Sequence, residues 1–390
     1  MIFLAIILIV LSTAYAVIIN RATAYWDKIT DWELPKSYAP QTRISVIIAM
    51  RNETANIEKT LLSLSQLHYD TNLLEIIIID DHSTDDSFAV VQPFLYQYPH
   101  FFYIKQTETS LIGKKNAIKT GIKNATGTLI ITTDADCTHD TDWLLYITSY
   151  YEATKAVAIA APIALHHEKN ILGLFQTLDT IGTMGLTGAG VQSGRILMSN
   201  GANFVYEKRV FEEVGGFEGN EGFASGDDVF LLHKIAQKYP KGIHFIKQKD
   251  LKTTVFTEPK HSWHEFEAQR LRWGTKNTAY TDFSVLFILG IVFIYTFFLF
   301  VMPLCAIPFL LYNTINGTIF VFLWLLALAA KYVTDFVFLR KLSRYFNRAD
   351  LLEFRIFVSA FFLYIFYLVY IGTKSIFYKK YEWKSRIDIR

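Results

Sequence analysis

Cysteine is almost missing from this chain of 390 residues: there are two, Cys137 and Cys305, in unlike surroundings. Two thiols so placed give neither a disulfide framework nor the paired spacing of a zinc site, which suits a catalytic part facing a reducing compartment. An excess of one charge is missing too. Lysine and arginine number 38 against 36 acids, for a formal net charge of +2. No basic stripe gathers that balance into a phosphate-binding face, so nucleic acid is not expected as a partner. His139, His166, His167, His261 and His264 share no metal-ligand spacing and are assigned no chemistry. Finally, no basic residue precedes the apolar run from Ile2 to Ile19, while Arg21 and Lys28 follow it. That order argues for an uncleaved membrane anchor over residues 1–20 with its C-terminal side in the cytoplasm, although "STAYA" (12–16) could pass for the cleavage site of a signal peptide.

What is present is apolar surface. With 52% hydrophobic and 16% aromatic residues and a mean hydropathy of +0.24, the chain is too apolar for an ordinary soluble enzyme and too charged to lie wholly in a membrane. Hydrophobicity returns at Phe283–Tyr312, which carries Pro303 and Pro308, at Ile319–Leu339, which carries Lys331 and Asp335, and at Phe354–Phe377. About three C-terminal spans are expected over residues 283–378. The basic linker 340–355 is placed in the cytoplasm and the uncharged "NTING" (313–317) outside. A basic tail at 379–390 prefers the cytoplasm, whereas three spans would put it outside. The chain thus reads as a multi-pass protein of the cell (inner) membrane with a cytoplasmic middle domain.

That middle domain, 42–282, alternates strand and helix patterns. "RISVIIAM" (43–50), "EIIIIDD" (75–81) and "LIITT" (129–133) are buried strand runs, and "NIEKTLLSLSQL" (56–67) has helical apolar spacing. Alternation of this kind predicts an α/β fold with a mostly parallel sheet, whose ligands sit beyond the carboxyl ends of the strands. Three strand ends are polar: Arg51-Asn52-Glu53, Asp80-Asp81 and Asp134-Ala135-Asp136. On extended chain, residues i and i+2 project to one side, so Asp134 and Asp136 can face one point. Two carboxylates there repel unless a cation holds them, and Mg²⁺ or Mn²⁺ bound by two carboxylates completes its shell with water and phosphate oxygens. The alternative is a helix cap at Asp134 with a solvated Asp136. "IDDHSTDDS" (79–87) reads equally as a nucleoside-binding loop or as a capping loop. Lys114 and Lys115 suit phosphate charge or a solvated helix start. "HEKNILGLFQTLDTIGTMGLTGAG" (167–190) is read as a membrane-surface helix or a buried core helix.

Taken in order, "SVIIAMRNE" (45–53), "IIIIDDHSTDD" (76–86), "GKKNAIKTG" (113–121) and "TTDADC" (132–137) resemble the start of the inverting family-2 glycosyltransferases of the GT-A fold. "NGANFVYEKRVFEEVGGF" (200–217) is similar to the acceptor-side segment of that family, and "SGDDVFL" (225–231) to its catalytic-base motif. "QRLRW" (269–273) is similar to the Gln-x-x-Arg-Trp signature of membrane members such as cellulose and hyaluronan synthases and ceramide glucosyltransferase. The resemblance implies a GT-A nucleotide-sugar-binding domain flanked by transmembrane helices, its nucleotide half at 42–165 and an acceptor and catalytic half with interfacial helices at 166–282. It implies donor contacts at Ala49, Arg51, Glu53, Asp80, Asp81, Lys114 and Asp134, and an Mg²⁺ or Mn²⁺ ion on Asp134 and Asp136. Asp228 falls where the family has its base and Asp227 beside it would position the base or the acceptor; the family often has Glu-Asp at this pair, so their division of labour stays open. Gln269, Arg272 and Trp273, at i, i+3 and i+4, share one helix face that in the family approaches the diphosphate and the acceptor. The implied reaction moves a sugar, with UDP-hexose donors expected, onto a lipid or glycan acceptor. Polymer synthesis and single-sugar transfer to a lipid both fit, and a non-catalytic nucleotide-sugar scaffold is a third class.

Overall fold

A computed structural model describes residues 2–107, 113–195, 197–219, 226–274, 283–312, 314–377, 380–383 and 386–389. Ser225, Asn313 and part of the 379–390 tail lie outside the described residues. The chain forms two compact units, one of residues 28–167, 187–259 and 382–390 and one of residues 1–27, 168–186 and 260–381.

The first unit is built on a seven-stranded sheet in the order β3-β2-β1-β4-β7-β5-β8. Strands β1 (Ile44–Met50), β2 (Leu74–Asp80), β3 (Phe101–Lys105) and β4 (Leu129–Asp134) run parallel. β7 (Phe204–Glu207) is antiparallel to both β4 and β5 (Ala158–Ala160), and β8 (Ile243–Phe245) is parallel to β5. The central strands read as unbroken β-branched runs because both faces are covered: Ile76, Ile77, Ile78 and Ile79 are at most 2% exposed. Helices α2 (Ile57–Ser65), α3 (Ser87–Gln97), α4 (Lys114–Asn124) and α5 (Trp143–Thr154) make the crossovers. α4 lies directly on the sheet at Gly121, where a Cβ would stand 2.6 Å from Ile79 and 2.7 Å from Ile47. At the amino end of the strands the buried Glu75 accepts hydrogen bonds from Ser45 and from the Thr126 and Gly127 amides, closing that end with a satisfied carboxylate. Helices α7 (Lys208–Glu213) and α8 (Asp227–Lys238) and a small sheet of β6 (Ile163–Leu165) with β9 (Val255–Thr257) complete the unit.

Helices make up the second unit. Four of them are long and apolar enough to cross a membrane: α1 (Ile2–Asp27), α10 (Phe283–Tyr312), α11 (Thr314–Tyr345) and α12 (Phe354–Phe377). The anchor expected at residues 1–20 therefore continues as helix to Asp27. α6 (Ile171–Ser193) is long and carries one acid, Asp179, in a largely apolar run without being among these four, and Phe175, Gln176, Thr177 and Leu178 are buried. α9 (Trp263–Gly274) is tied to α12 by Lys374 and Tyr370, which both donate to Glu267.

Charges within these helices are buried in pairs. Lys331, fully buried, donates to Asp335 at 2.6 Å one turn away and to the Tyr15 hydroxyl at 2.9 Å, and Tyr15 donates to the other oxygen of Asp335. Arg270 meets Asp179 at 2.8 Å with its guanidinium over the Phe266 and Trp273 rings. Arg348 donates to Glu168, which also accepts from Thr177. An ion taken from water into such surroundings is tolerated only with its partner and its hydrogen bonds in place.

The two strands β10 (Lys380–Trp383) and β11 (Arg386–Ile389) pair with each other near the C-terminus.

Candidate active site

The register of the parallel strands brings their carboxyl ends level. Ala49 lies opposite Asp134 on β4, and Met50 opposite Asp80 on β2. One rim of the sheet therefore carries the three polar strand ends.

β4 ends at Asp134, and Ala135 and Asp136 form a turn closed by the Cys137 amide on the Asp134 carbonyl at 3.3 Å, so the extended run expected through Asp136 stops two residues short. Asp134 and Asp136 are half-buried while Ala135 and Cys137 between and after them are buried. The turn is braced from behind. Thr60 donates to the Ala135 carbonyl, and His139 sits between Thr133 and Ser63 at 2.9 and 3.1 Å. Burial pushes the His139 imidazole down to about 3, so it is a neutral core histidine. Burial, with the charges of Asp136 and Asp134, pushes the Cys137 thiol well up, which keeps it a thiol.

Around this turn two lysines at the start of α4 reach two different acids. Lys114 donates to Asp134, and Lys115 lies 3.4 Å from Asp227, both of the latter side chains being about one-eighth exposed. Asp227 and Asp228 open α8, where the helix dipole favours acids. The Asp228 carboxylate accepts from the Gly201 amide at 2.8 Å. Gly201 stands close to both: a Cβ there would lie 3.8 Å from Lys114 Nζ and 3.9 Å from Asp228 Oδ2, at ordinary contact distance. The turn carrying Gly201 is fixed by the buried Asn203, whose amide donates to the Pro162 and Thr253 carbonyls and accepts from the Trp143 indole. Asp134, Lys114, Gly201, Asp228, Lys115 and Asp227 thus form one cluster from four separate stretches of chain. Gly201, Asn203 and the Lys115–Asp227 pair are the parts that sequence reasoning did not single out. Only the Asn-Gly pair at the start of "NGANF" carried a signal, as a turn-forming dipeptide.

The other rim residues are more heavily engaged. Asp80 accepts from the Ser83 amide and the Tyr103 hydroxyl at 2.7 and 2.6 Å, and Asp81 accepts from the Gly113 amide and contacts His82. Arg51 donates to the Asp81 and His82 carbonyls at 2.9 and 2.7 Å. Glu53 accepts from Asn56, and its amide donates to Ser87. These groups shape the loops after β1 and β2, as the capping reading of "IDDHSTDDS" has it. Gln269, Arg272 and Trp273 are half-buried on α9 in the other unit.

Among the described residues no three His, Cys, Asp or Glu side chains converge as a metal site. The donor set Asp134 plus Asp136 nevertheless fits a hard divalent cation of the kind that takes one or two carboxylates and completes its octahedron with water and phosphate. Lys114 on Asp134 fits as well, since it is a positive charge at the spot where such an ion would sit.

Residues 45–215 match the family described as Glycosyl transferase family 2. A probable glycosyltransferase, YdaM, of Bacillus subtilis is 28% identical over 253 residues, covering 63% of this chain and 56% of that protein. The poly-β-1,6-N-acetyl-D-glucosamine synthase of Staphylococcus epidermidis is 29% identical over 174 residues, covering 44% of this chain and 41% of the synthase. The chain therefore spans about half the length of these curated relatives. A mannosyltransferase from Pyrobaculum calidifontis, solved with GDP-Man and Mn²⁺, superposes with a TM-score of 0.58 at 20% identity over 95% of this chain and 97% of that one, a likeness of fold.

Proposed function

We propose, from the premise that the chain carries a glycosyl transferase family 2 domain on a GT-A-like fold, that it is an inverting membrane glycosyltransferase using a UDP-hexose-class donor. The observation that carries this reading is the gathering of Asp228, Lys114 and Asp134 about Gly201. In a single displacement the acceptor hydroxyl attacks the anomeric carbon, the bond from that carbon to the diphosphate oxygen breaks, and the hydroxyl proton passes to Asp228. The Gly201 and Val229 amides donate to one Asp228 oxygen each, which fixes the carboxylate that takes the proton. Lys115 steadies Asp227, and Asp227 orients the acceptor. Lys114 supplies positive charge at the diphosphate. Asp134 and Asp136 would hold Mg²⁺ or Mn²⁺, which neutralises charge growing on the leaving diphosphate. Ala49, Arg51, Glu53, Asp80 and Asp81 shape the nucleoside side, while the diphosphate and acceptor role of Gln269, Arg272 and Trp273 rests on the family signature alone.

The four apolar helices hold the α/β unit at the cytoplasmic side of the cell membrane, where nucleotide sugars are made. Extension of a glycan is favoured by the name of the staphylococcal relative; transfer of one sugar to a lipid is favoured by the small number of helices available to form a channel. The test is to incubate detergent-purified protein with labelled nucleotide sugars and membrane lipids and to size the product. A labelled polymer or a singly labelled lipid, lost in Asp228→Asn, supports the reading. No transfer from any nucleotide sugar, or full transfer by Asp228→Asn, overturns it.

A further inference from the structure

Between α1, α6, α11 and α12 lies a cavity of about 120 Å³. Most of its wall is hydrocarbon, with the rings of Phe175, Phe338 and Phe361 prominent. Two ionic side chains also face it, and both are carboxylates, Asp179 and Asp335. Their cations stand behind them. Lys331 is packed against the Tyr15 and Tyr364 rings at 4.6 and 4.7 Å, Arg270 lies over aromatic rings of α9 and α12, and neither lines the cavity. Asp335 receives one hydrogen bond on each oxygen, from Tyr15 and from Lys331, and a carboxylate has about four acceptor positions. The Tyr15 and Thr183 hydroxyls on the wall already donate, to Asp335 and to the Asp179 carbonyl, and Tyr364 adds a third hydroxyl-bearing side chain. The charged groups a ligand meets in this apolar wall are therefore acceptors.

We propose that this cavity binds one uncharged lipid through a free hydroxyl, which donates to Asp335 or Asp179 while its chain lies along the aromatic rings. Three of the four helices are apolar enough to cross a membrane, so the molecules that reach the cavity in numbers are lipids. A phosphorylated lipid is the wrong partner. Its anion would face two carboxylates in a setting of low dielectric and would receive no hydrogen bond from them. A hydroxyl satisfies a buried acceptor without bringing charge. This inference concerns binding and stands apart from the transfer reaction proposed above.

The test measures equilibrium binding of radiolabelled 1,2-dioleoylglycerol, its 3-O-methyl ether and dioleoyl phosphatidate to the purified full chain in detergent. The expected result is one dioleoylglycerol per chain, bound at least tenfold more tightly than either analogue, with affinity unchanged in Asp228→Asn and lost in Ala360→Phe, which fills the cavity. Discrimination of less than tenfold among the three lipids, or undiminished binding by a folded Ala360→Phe, overturns the proposal. Should Ala360→Phe fail to fold, the comparison of the three lipids on the wild-type chain decides alone.

Discussion

The two units treat charge in opposite ways. In the α/β unit the acids that matter gather at one rim of the sheet, half-buried, where backbone amides and two lysines meet them and where water and ligands can still compete. In the helical unit three pairs set each charge against a counter-charge largely out of water, Lys331 with Asp335 and Tyr15, Arg270 with Asp179, Arg348 with Glu168, and only the carboxylates of the first two face a cavity. A charge kept reachable can do chemistry, and its removal costs rate. A charge sealed in hydrocarbon serves the packing of the helices, and its removal costs the fold.

The largest effect that could break this contrast is on stability. Lys331→Met leaves Asp335 buried without its cation, and loss of about 3–5 kcal/mol is expected, read as a lowered thermal transition of the detergent-solubilised chain. Lys331→Met combined with Asp335→Leu should restore most of it, because an apolar pair carries no desolvation cost. Next comes rate. Asp228→Asn should lower turnover about 10²-fold or more while the thermal transition stays put; destabilisation on the scale of Lys331→Met would erase the distinction. A finer test is Lys115→Met, expected to lower kcat about tenfold through Asp227 with little change in donor KM, since one ion-pair partner is lost while Lys114 remains. The smallest effect, counted per pH unit, comes from a neutral group buried behind the rim. The folded His139 takes its proton only near 3, whereas an unfolded imidazole takes it near 6.5, so between those values the unfolded chain binds more protons and stability falls as pH falls. Unfolding measured at successive pH values should lose about 1.4 kcal/mol per unit in that window, and His139→Phe should flatten the slope.

Much of the frame was legible because it rests on local pattern. The runs at 43–50, 75–81 and 129–133 became β1, β2 and β4 to within about a residue at each end, and the run at 56–67 became the shorter α2. Apolar length announced α1, α10, α11 and α12. The rim itself followed from acids at strand ends. What pattern could not give was which acid meets which partner. Lys114 was expected at phosphate and is found on Asp134; Arg51 was expected at the donor and grips the carbonyls of Asp81 and His82. Such choices depend on where separate loops stop in space. The Arg270–Asp179 pair was hidden for another reason. Arg270 occupies an unspecified position of the Gln-x-x-Arg-Trp signature, and Asp179 lies far upstream on a helix whose apolar pattern drew attention away from its single acid.

One strand of the sheet runs against its neighbours, and that reversal decides who attends at the rim. Parallel strands deliver their last residues there; β7, travelling the other way beside β4, delivers the stretch that comes just before its first, with Phe204 abreast of Thr132. Turn β7 around and Gly201 would arrive roughly 13 Å away at the far edge, at 3.3 Å for each of four residues. A single change of direction thus spares the chain a long detour, and it lets the glycine that steadies Asp228 be written some seventy residues downstream of Asp134.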